Sequence, residues 1–200
     1  ASRDSDLEWA DYAFVGGMIV QKESARQIIA RCRKANLKIV AGGPLFTMDH
    51  EEFEGVDHFI LNEAELTLPP FLHDLESGQL QRIYSSTEYA DITKTPIPRW
   101  DLLELNRYDS MSVQFTRGCP FNCEFCDIVA LNGRVPRLKT PPQLIAEIIP
   151  DVLVKGADYT KEQVVGWQIV ESYGGTIALA PLINGRSTSQ VIARILEAYK

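Results

Sequence analysis

Three of the chain's four cysteines fall in one short run, Cys119-Pro-Phe-Asn-Cys123-Glu-Phe-Cys126. A tight loop with that spacing can aim three thiolates at a single inorganic centre. Three thiolates hold three irons of a cubane and leave the fourth iron open to a ligand that is not protein. A structural zinc site calls for a fourth Cys or His nearby and usually comes as two paired halves. Cys32 lies far upstream, and His50, His58 and His73 are all distant in sequence. A ferredoxin carries a fourth cysteine at another spacing. An open-site iron–sulfur cluster is the favoured reading, with zinc and ordinary or redox thiols as the alternatives.

Composition narrows the classes further. The chain has 200 residues, with 20 basic against 27 acidic side chains and a formal charge of −7. An acidic chain without Lys/Arg blocks lacks the electrostatic footprint of a nucleic-acid binder. No apolar run approaches the ~18 residues that span a bilayer. The polar, acidic stretch Ala1 to Trp9 has neither the basic nor the apolar region of a signal peptide. Four cysteines are too sparse for a secreted disulfide scaffold, so a reducing cytoplasm is expected. The first residue is Ala, which fits a chain processed or cut from something longer.

Hydrophobic patterning predicts an α/β fold. Tyr12-Ala-Phe-Val15 reads as a buried strand ending at Gly16-Gly17, Ser24 to Lys34 as a helix burying Ile28, Ile29 and Cys32, and Leu37 to Ala41 as a second strand closed by Gly42-Gly43-Pro44. His58 to Leu61 reads as a third strand, and Glu65 to Ser77 as a helix capped by Gly78. Strands alternating with helices point to βαβ units and a parallel sheet, whose strand ends admit ligands. Gln79 to Asp109 reads as a connector, where Pro96 and Pro98 preclude a regular helix. Met111 to Thr116 alternates like a strand and leads into Arg117-Gly118-Cys119. Beyond Thr140 the pattern predicts a helix over Pro141 to Ile149, a strand at Val152 to Val154 and a helix over Glu162 to Tyr173. A strand over Thr176 to Ala180 and a helix over Ser187 to Tyr199 complete it.

The cysteine run, with Phe125 just before its last cysteine and a strand leading in, resembles the radical S-adenosylmethionine enzymes. The resemblance implies that Cys119, Cys123 and Cys126 ligate a 4Fe–4S cluster whose open iron is chelated by S-adenosylmethionine. Reductive cleavage of that cofactor would yield a radical that abstracts hydrogen from a substrate, with the protein supplying orientation and exclusion of water. Phe125 would line the adenine side, the plain alternative being a core aromatic. A small-molecule substrate and an electron donor are the implied partners. Met18-Ile-Val-Gln-Lys-Glu-Ser24, Val40-Ala-Gly-Gly-Pro44, Asn62-Glu-Ala-Glu65 and Thr95-Pro-Ile-Pro-Arg-Trp-Asp101 extend the match. Together they resemble the subgroup with a cobalamin-binding-type Rossmann domain before the radical barrel, and within it the hopanoid-methylase-like members.

Two features depart from that family. None of the three histidines stands in its Asp-x-His-x-x-Gly cobalt loop, which would fall before Ala1, leaving a partial domain. Cobalamin is therefore not assigned to this chain, and Gly42 and Gly43 remain the positions that would contact its tail or lower face. Only the residues after Cys126 are left for the barrel, far fewer than the roughly 250 of a full eightfold one. Tyr173-Gly-Gly-Thr176 lacks the acid of a cofactor-binding Gly-Gly-Glu turn and reads as an ordinary turn.

The tail follows another pattern. Thr140-Pro-Pro-Gln-Leu-Ile-Ala-Glu-Ile, Pro150-Asp-Val-Leu-Val-Lys-Gly-Ala-Asp-Tyr159, Val164-Val-Gly166 and Gly185-Arg-Ser-Thr-Ser-Gln-Val-Ile192 resemble the C-terminal third of bacterial heptose-phosphate adenylyltransferases, a Rossmann-like nucleotidyltransferase fold. The resemblance implies that Lys155 and the helix start Ser187-Thr188-Ser189 contact nucleotide phosphates, as a point charge and a helix N-terminus can. An ordinary N-cap and a surface lysine are the plain alternative. That family's His-x-Gly-His catalytic loop does not occur in the chain. The expected organisation is thus a partial cobalamin-binding-type domain (1–78), a linker (79–110), the cluster-binding start of a radical barrel (111–139) and a nucleotidyltransferase-like fragment (140–200). A join of two enzyme fragments is expected near Thr140. Truncated sheets would leave strand edges open, so self-association is expected.

Overall fold

The computed structural model describes residues 7–181 and 188–198. The chain is α/β and divides into two compact units. The first comprises Ala1–Thr95 and Thr116–Leu138, the second Pro96–Phe115 and Lys139–Lys200.

The first unit is built on a four-stranded parallel sheet, β1 (Tyr12–Gly16), β2 (Lys38–Gly42), β3 (His58–Ile60) and β4 (Ile83–Tyr84), ordered as in the chain. Three helices connect these strands: α1 (Lys22–Lys34), α2 (Pro44–Asp49) and α3 (Ala64–Ser77). A strand's side chains alternate between faces, and β2 shows how both faces are used. Ile39 and Ala41 join one core with Val15, Ile29, Cys32, Leu45, Phe46, Phe53 and Phe59. Val40 turns the other way to meet Ile60, Phe71 and Tyr84. Burial on both sides is what near-continuous apolar strands of a parallel sheet require.

Local chemistry sets the helix ends. Gly78 caps α3 in the left-handed region at φ +71°, donating its N–H to the Asp74 carbonyl. Pro69 and Pro70 lie inside α3, yet the helix runs through them. Phe71, fully buried, anchors that helix to the sheet and meets Tyr84 edge-on at 5.4 Å.

A small antiparallel ribbon completes the first unit: β5 (Thr116–Arg117) pairs with β6 (Arg137–Leu138), and the short helix α4 (Ile128–Asn132) lies between them in sequence. The expected strand over Met111 to Thr116 is corrected: only Thr116 and Arg117 pair. Alternation supplies a strand only where a partner backbone is present, and Met111 and Phe115 remain exposed.

The second unit contains α5 (Pro141–Ile148), β7 (Val152–Gly156), α6 (Trp167–Ser172), β8 (Thr176–Ala180) and α7 (Thr188–Ala198). β7 and β8 form a two-stranded parallel sheet. Thr140 caps α5 with a reciprocal capping box to Gln143, and proline occupies its first turn. The expected single helix over Glu162 to Tyr173 is corrected to a 3-10 turn, Lys161–Gln163, followed by α6. Gly166, at φ +86°, caps α6 and breaks the run. A buried ion pair joins Lys139 Nζ to Glu147 Oε2 at 2.6 Å, and Trp100 Nε1 donates to the Glu147 carbonyl at 3.0 Å.

Candidate metal centre on the cysteine loop

The loop that carries the three cysteines is closed at its base. β5 ends at Arg117, and Gly118 turns the chain at φ +92°. A Cβ on Gly118 would lie 2.5 Å from the Val135 carbonyl oxygen and 3.1 Å from that of Asn132, so only glycine passes there. Cys119 N–H then donates to the Gly133 carbonyl at 3.1 Å, joining the start of the loop to the end of α4. Inside the loop, Cys126 N–H donates to the Cys123 carbonyl at 3.1 Å.

All three thiols are free; Cys123 is exposed and Cys119 and Cys126 are half-buried. Among the described residues, no group of three or more His, Cys, Asp or Glu side chains is arranged to hold a metal ion. The structure thus brings the thiols onto one loop without drawing them together as ligands. The donor set itself fits a cluster held by three thiolates, since three disulfide-free thiols that solvent can reach share one loop with a fixed base. Phe125 is 91% exposed and Phe121 71% exposed. Phe125 is therefore not the core aromatic that was its plain alternative.

Beside this loop lies a set of charges, Glu63 buried and Glu65, Arg117 and Arg137 half-buried, whose pairing sequence reasoning did not single out. Arg117 and Arg137 face each other across the β5/β6 ribbon. Two carboxylates from the turn into α3 neutralise them. Arg137 forks onto Glu63 at 2.5 and 2.8 Å, and Arg117 forks onto Glu65 at 2.8 and 3.0 Å and approaches Glu63 at 3.2 Å. Glu63 also accepts from Ala90 N–H at 2.8 Å, and Thr95 Oγ1 donates to Glu65 at 3.2 Å. The Tyr89 ring covers the Arg137 guanidinium at 4.9 Å. Burial alone would raise the Glu63 carboxyl's pKa. Hydrogen bonds from Arg137 and Ala90 N–H, with the charge of Arg117, outweigh it and hold that carboxyl below the usual range. Glu65 is lowered likewise, burial opposing and Arg117 prevailing.

Gly42 and Gly43 end β2 and open α2, and the chain's own packing already asks for glycine at both. A Cβ on Gly42 would lie 2.7 Å from the Ile60 carbonyl oxygen, and Gly43 sits at φ +85°. The surrounding loops are cross-tied: Leu45 N–H donates to the Gly17 carbonyl, Thr47 N–H to the Gly43 carbonyl and Asn62 N–H to Thr47 Oγ1. Ligands of a parallel sheet bind at the carboxyl ends of its strands, and none of the three histidines stands there. His50 follows α2, His58 opens β3 with Nδ1 2.6 Å from the Gln81 carbonyl oxygen, and His73 lies within α3. These residues do not fit a histidine-ligated cobalamin.

In the second unit, Lys155 is exposed near the end of β7, with its ammonium over the Tyr159 ring at 4.1 Å. Thr188 and Ser189 open α7, and Ser187 lies outside the described residues. Among the described residues, no helix is long and apolar enough to cross a membrane.

No protein-family model matches the chain. It is 44% identical over 167 residues to an uncharacterized methyltransferase of Synechocystis sp., covering 82% of this chain and 29% of that protein. It is 34% identical over 152 residues to the hopanoid C-2 methylase of Rhodopseudomonas palustris, covering 74% of this chain and 29% of that protein. A shorter stretch of 61 residues, 30% of the chain, is 56% identical to 12% of the bifunctional protein HldE of Syntrophotalea carbinolica. The chain thus spans less than a third of each of these relatives. Shares of 82% and 30% exceed the whole chain together, so the methyltransferase-like and HldE-like stretches overlap.

Proposed function

We propose that the first unit is the cluster-binding part of a radical S-adenosylmethionine methylase. The observation that carries this reading is the cysteine loop: three free thiols at the Cys119, Cys123 and Cys126 spacing, on a loop whose base is closed by Gly118 and the Cys119–Gly133 hydrogen bond. The likeness to a hopanoid C-2 methylase and a second methyltransferase supports it. Cys119, Cys123 and Cys126 would hold a 4Fe–4S cluster, which when bound would deliver an electron to the sulfonium of S-adenosylmethionine. The chain's own contributions are simpler. The loop base fixes where the first thiolate stands, and the exposed face of Phe125 offers a flat apolar surface to an adenine ring. A small-molecule substrate and an external electron donor are the partners this chemistry needs. The four-part organisation stands as part of the same proposal, with residues 1–78 forming a partial cobalamin-binding-type domain and 79–110 a linker. Residues 111–139 are then the cluster segment and 140–200 a nucleotidyltransferase-like fragment.

Anaerobic reconstitution with iron and sulfide tests the reading. About four irons per chain are expected, with a reduced-cluster paramagnetic spectrum that changes when S-adenosylmethionine is added. Iron binding should vanish in the triple Cys→Ala variant of these positions. Iron-free preparations, or a spectrum indifferent to the cofactor, would overturn it.

A second reading is favoured by the 61-residue likeness to HldE, equal in length to the stretch from Thr140 to Lys200. In it the tail binds nucleotide phosphates through Lys155, Ser187 and the residues that open α7, Thr188 and Ser189. A rise in melting temperature with ATP or CTP, lost in Lys155→Ala, is expected; no rise with either nucleotide removes this reading.

A further inference from the structure

We infer that Glu63, the N-cap of α3, and Glu65, in its first turn, are positioning residues for the cysteine loop, acting through Arg117 and Arg137. The inference deepens the reading of the loop as the cluster site and rests on it for its functional meaning.

Sequence separates the partners widely, Glu63 from Arg137 by 74 positions and Glu65 from Arg117 by 52. The fold nevertheless seals them together. The side chains are only 4% exposed for Glu63, 13% for Arg117, 19% for Arg137 and 21% for Glu65. Two arginines opposite each other on a two-residue ribbon repel, and a ribbon that short cannot hold itself. The paired forks convert the repulsion into a fixed arrangement, because a bidentate Arg–carboxylate pair sets orientation as well as distance.

Contacts then lead from the carboxylates to the loop. Arg117 is two residues before Cys119, so its fork fixes the strand from which the loop departs. Arg137 uses the nitrogen that holds Glu63 Oε1 to reach the Asn132 carbonyl as well, at 3.1 Å, and its other terminal nitrogen donates to the Ala90 carbonyl at 2.7 Å. Asn132 ends α4, and the next residue, Gly133, supplies the carbonyl that receives Cys119 N–H. Both ends of the loop base are therefore referred to one pair of carboxylates, which stand just beyond the carboxyl end of β3. Loss of a carboxylate leaves a half-buried guanidinium without its ionic fork, a state the ribbon relieves by moving.

Amide hydrogen exchange on the iron-free, full-length chain tests this without any cofactor. In Glu63→Gln, which keeps the shape and removes the charge, the Cys119 amide should exchange roughly tenfold faster or more. The Val40 and Phe59 amides of the sheet should stay within about twofold of the parent. Arg137→Lys, which keeps the charge but loses the fork, should reproduce the selective effect. Ile29→Val, a core change away from the ribbon, should not. An unchanged Cys119 amide, or one that speeds up only in step with the sheet amides, overturns the inference, because a merely stabilising ion pair moves all amides together. If Glu63→Gln fails to fold, Arg137→Lys decides on the same criterion. Iron analysis of the same variants separates the two claims: a parent chain that binds no iron defeats the cluster reading, while the exchange pattern alone decides the positioning role.

Discussion

At Gly118 the backbone leaves β5 with φ at +92°, and a methyl group would meet the carbonyl of Val135. Backbone cannot yield as a flexible side chain can. Gly118→Ala is therefore expected to loosen the ribbon and loop by about 2 kcal/mol or more, read as a lower melting temperature with faster exchange at Cys119. Glu63 gives a pH signature. Its folded pKa lies below the unfolded value, so its contribution is present in full above the ordinary carboxylate range of about 4 and is lost as pH falls through the folded value. The melting-temperature gap between the parent and Glu63→Gln should be widest near neutrality and close on acidification; a gap that widens in acid would contradict the sign. The cysteines were legible from the sequence because their spacing is local. Glu63, Glu65, Arg117 and Arg137 were not, since no local pattern marks carboxylates that find guanidinium partners dozens of positions away. The available signals were that Glu63 and Glu65 lie in the family-like run Asn62-Glu-Ala-Glu65 and that Arg117 leads into the cysteine loop; nothing in the sequence pairs them.

Among the elements, α3 shows packing overriding propensity. Pro69 and Pro70 each remove a backbone donor, yet Phe71, Leu68 and Leu75 keep the helix on the sheet. Both prolines are exposed. Pro70→Ala should restore a helix hydrogen bond and relieve the ring's clash, gaining up to about 3 kcal/mol, seen as a raised denaturation midpoint. A lowered midpoint would show that the ring itself packs usefully. Apolar periodicity revealed β2, β3, α1 and α3 because each buries an apolar face. It revealed β1 too, although of the expected buried strand only Val15 is buried and Phe14 is 61% exposed. It missed α2, which opens directly from the Gly43 turn, and β4, whose two residues are too few to show alternation. It overextended the strand at Met111, where the described residues form no strand before Thr116, and ran through Gly166, whose left-handed turn separates the 3-10 segment from α6.

For the whole molecule, the two units differ in how much they bury. The first has cores on both faces of its sheet, whereas the apolar residues buried in the second among those described are Ile145, Val164 and Val170. Val152 and Val154 of β7 stay exposed, although parallel sheets are normally covered on both faces. Calorimetry is expected to resolve two transitions, the second unit melting first. Val170→Ala, at a fully buried site, should weaken that lower transition by about 2 kcal/mol and leave the upper one in place. One transition, or a shift in the upper one, would mean that the units melt together.

The units are also threaded through each other along the chain: the first is interrupted after Thr95, resumes at Thr116 and ends at Leu138, and the second begins inside that gap. A ribosome making this polypeptide releases the parallel sheet long before the ribbon that Glu63 and Glu65 grip. The nascent first unit must therefore carry both acids without a guanidinium partner until Arg117 clears the exit tunnel, and Glu63 lacks its fork until Arg137 follows. Any premature stop before the Arg137 codon leaves Glu63 without that fork permanently.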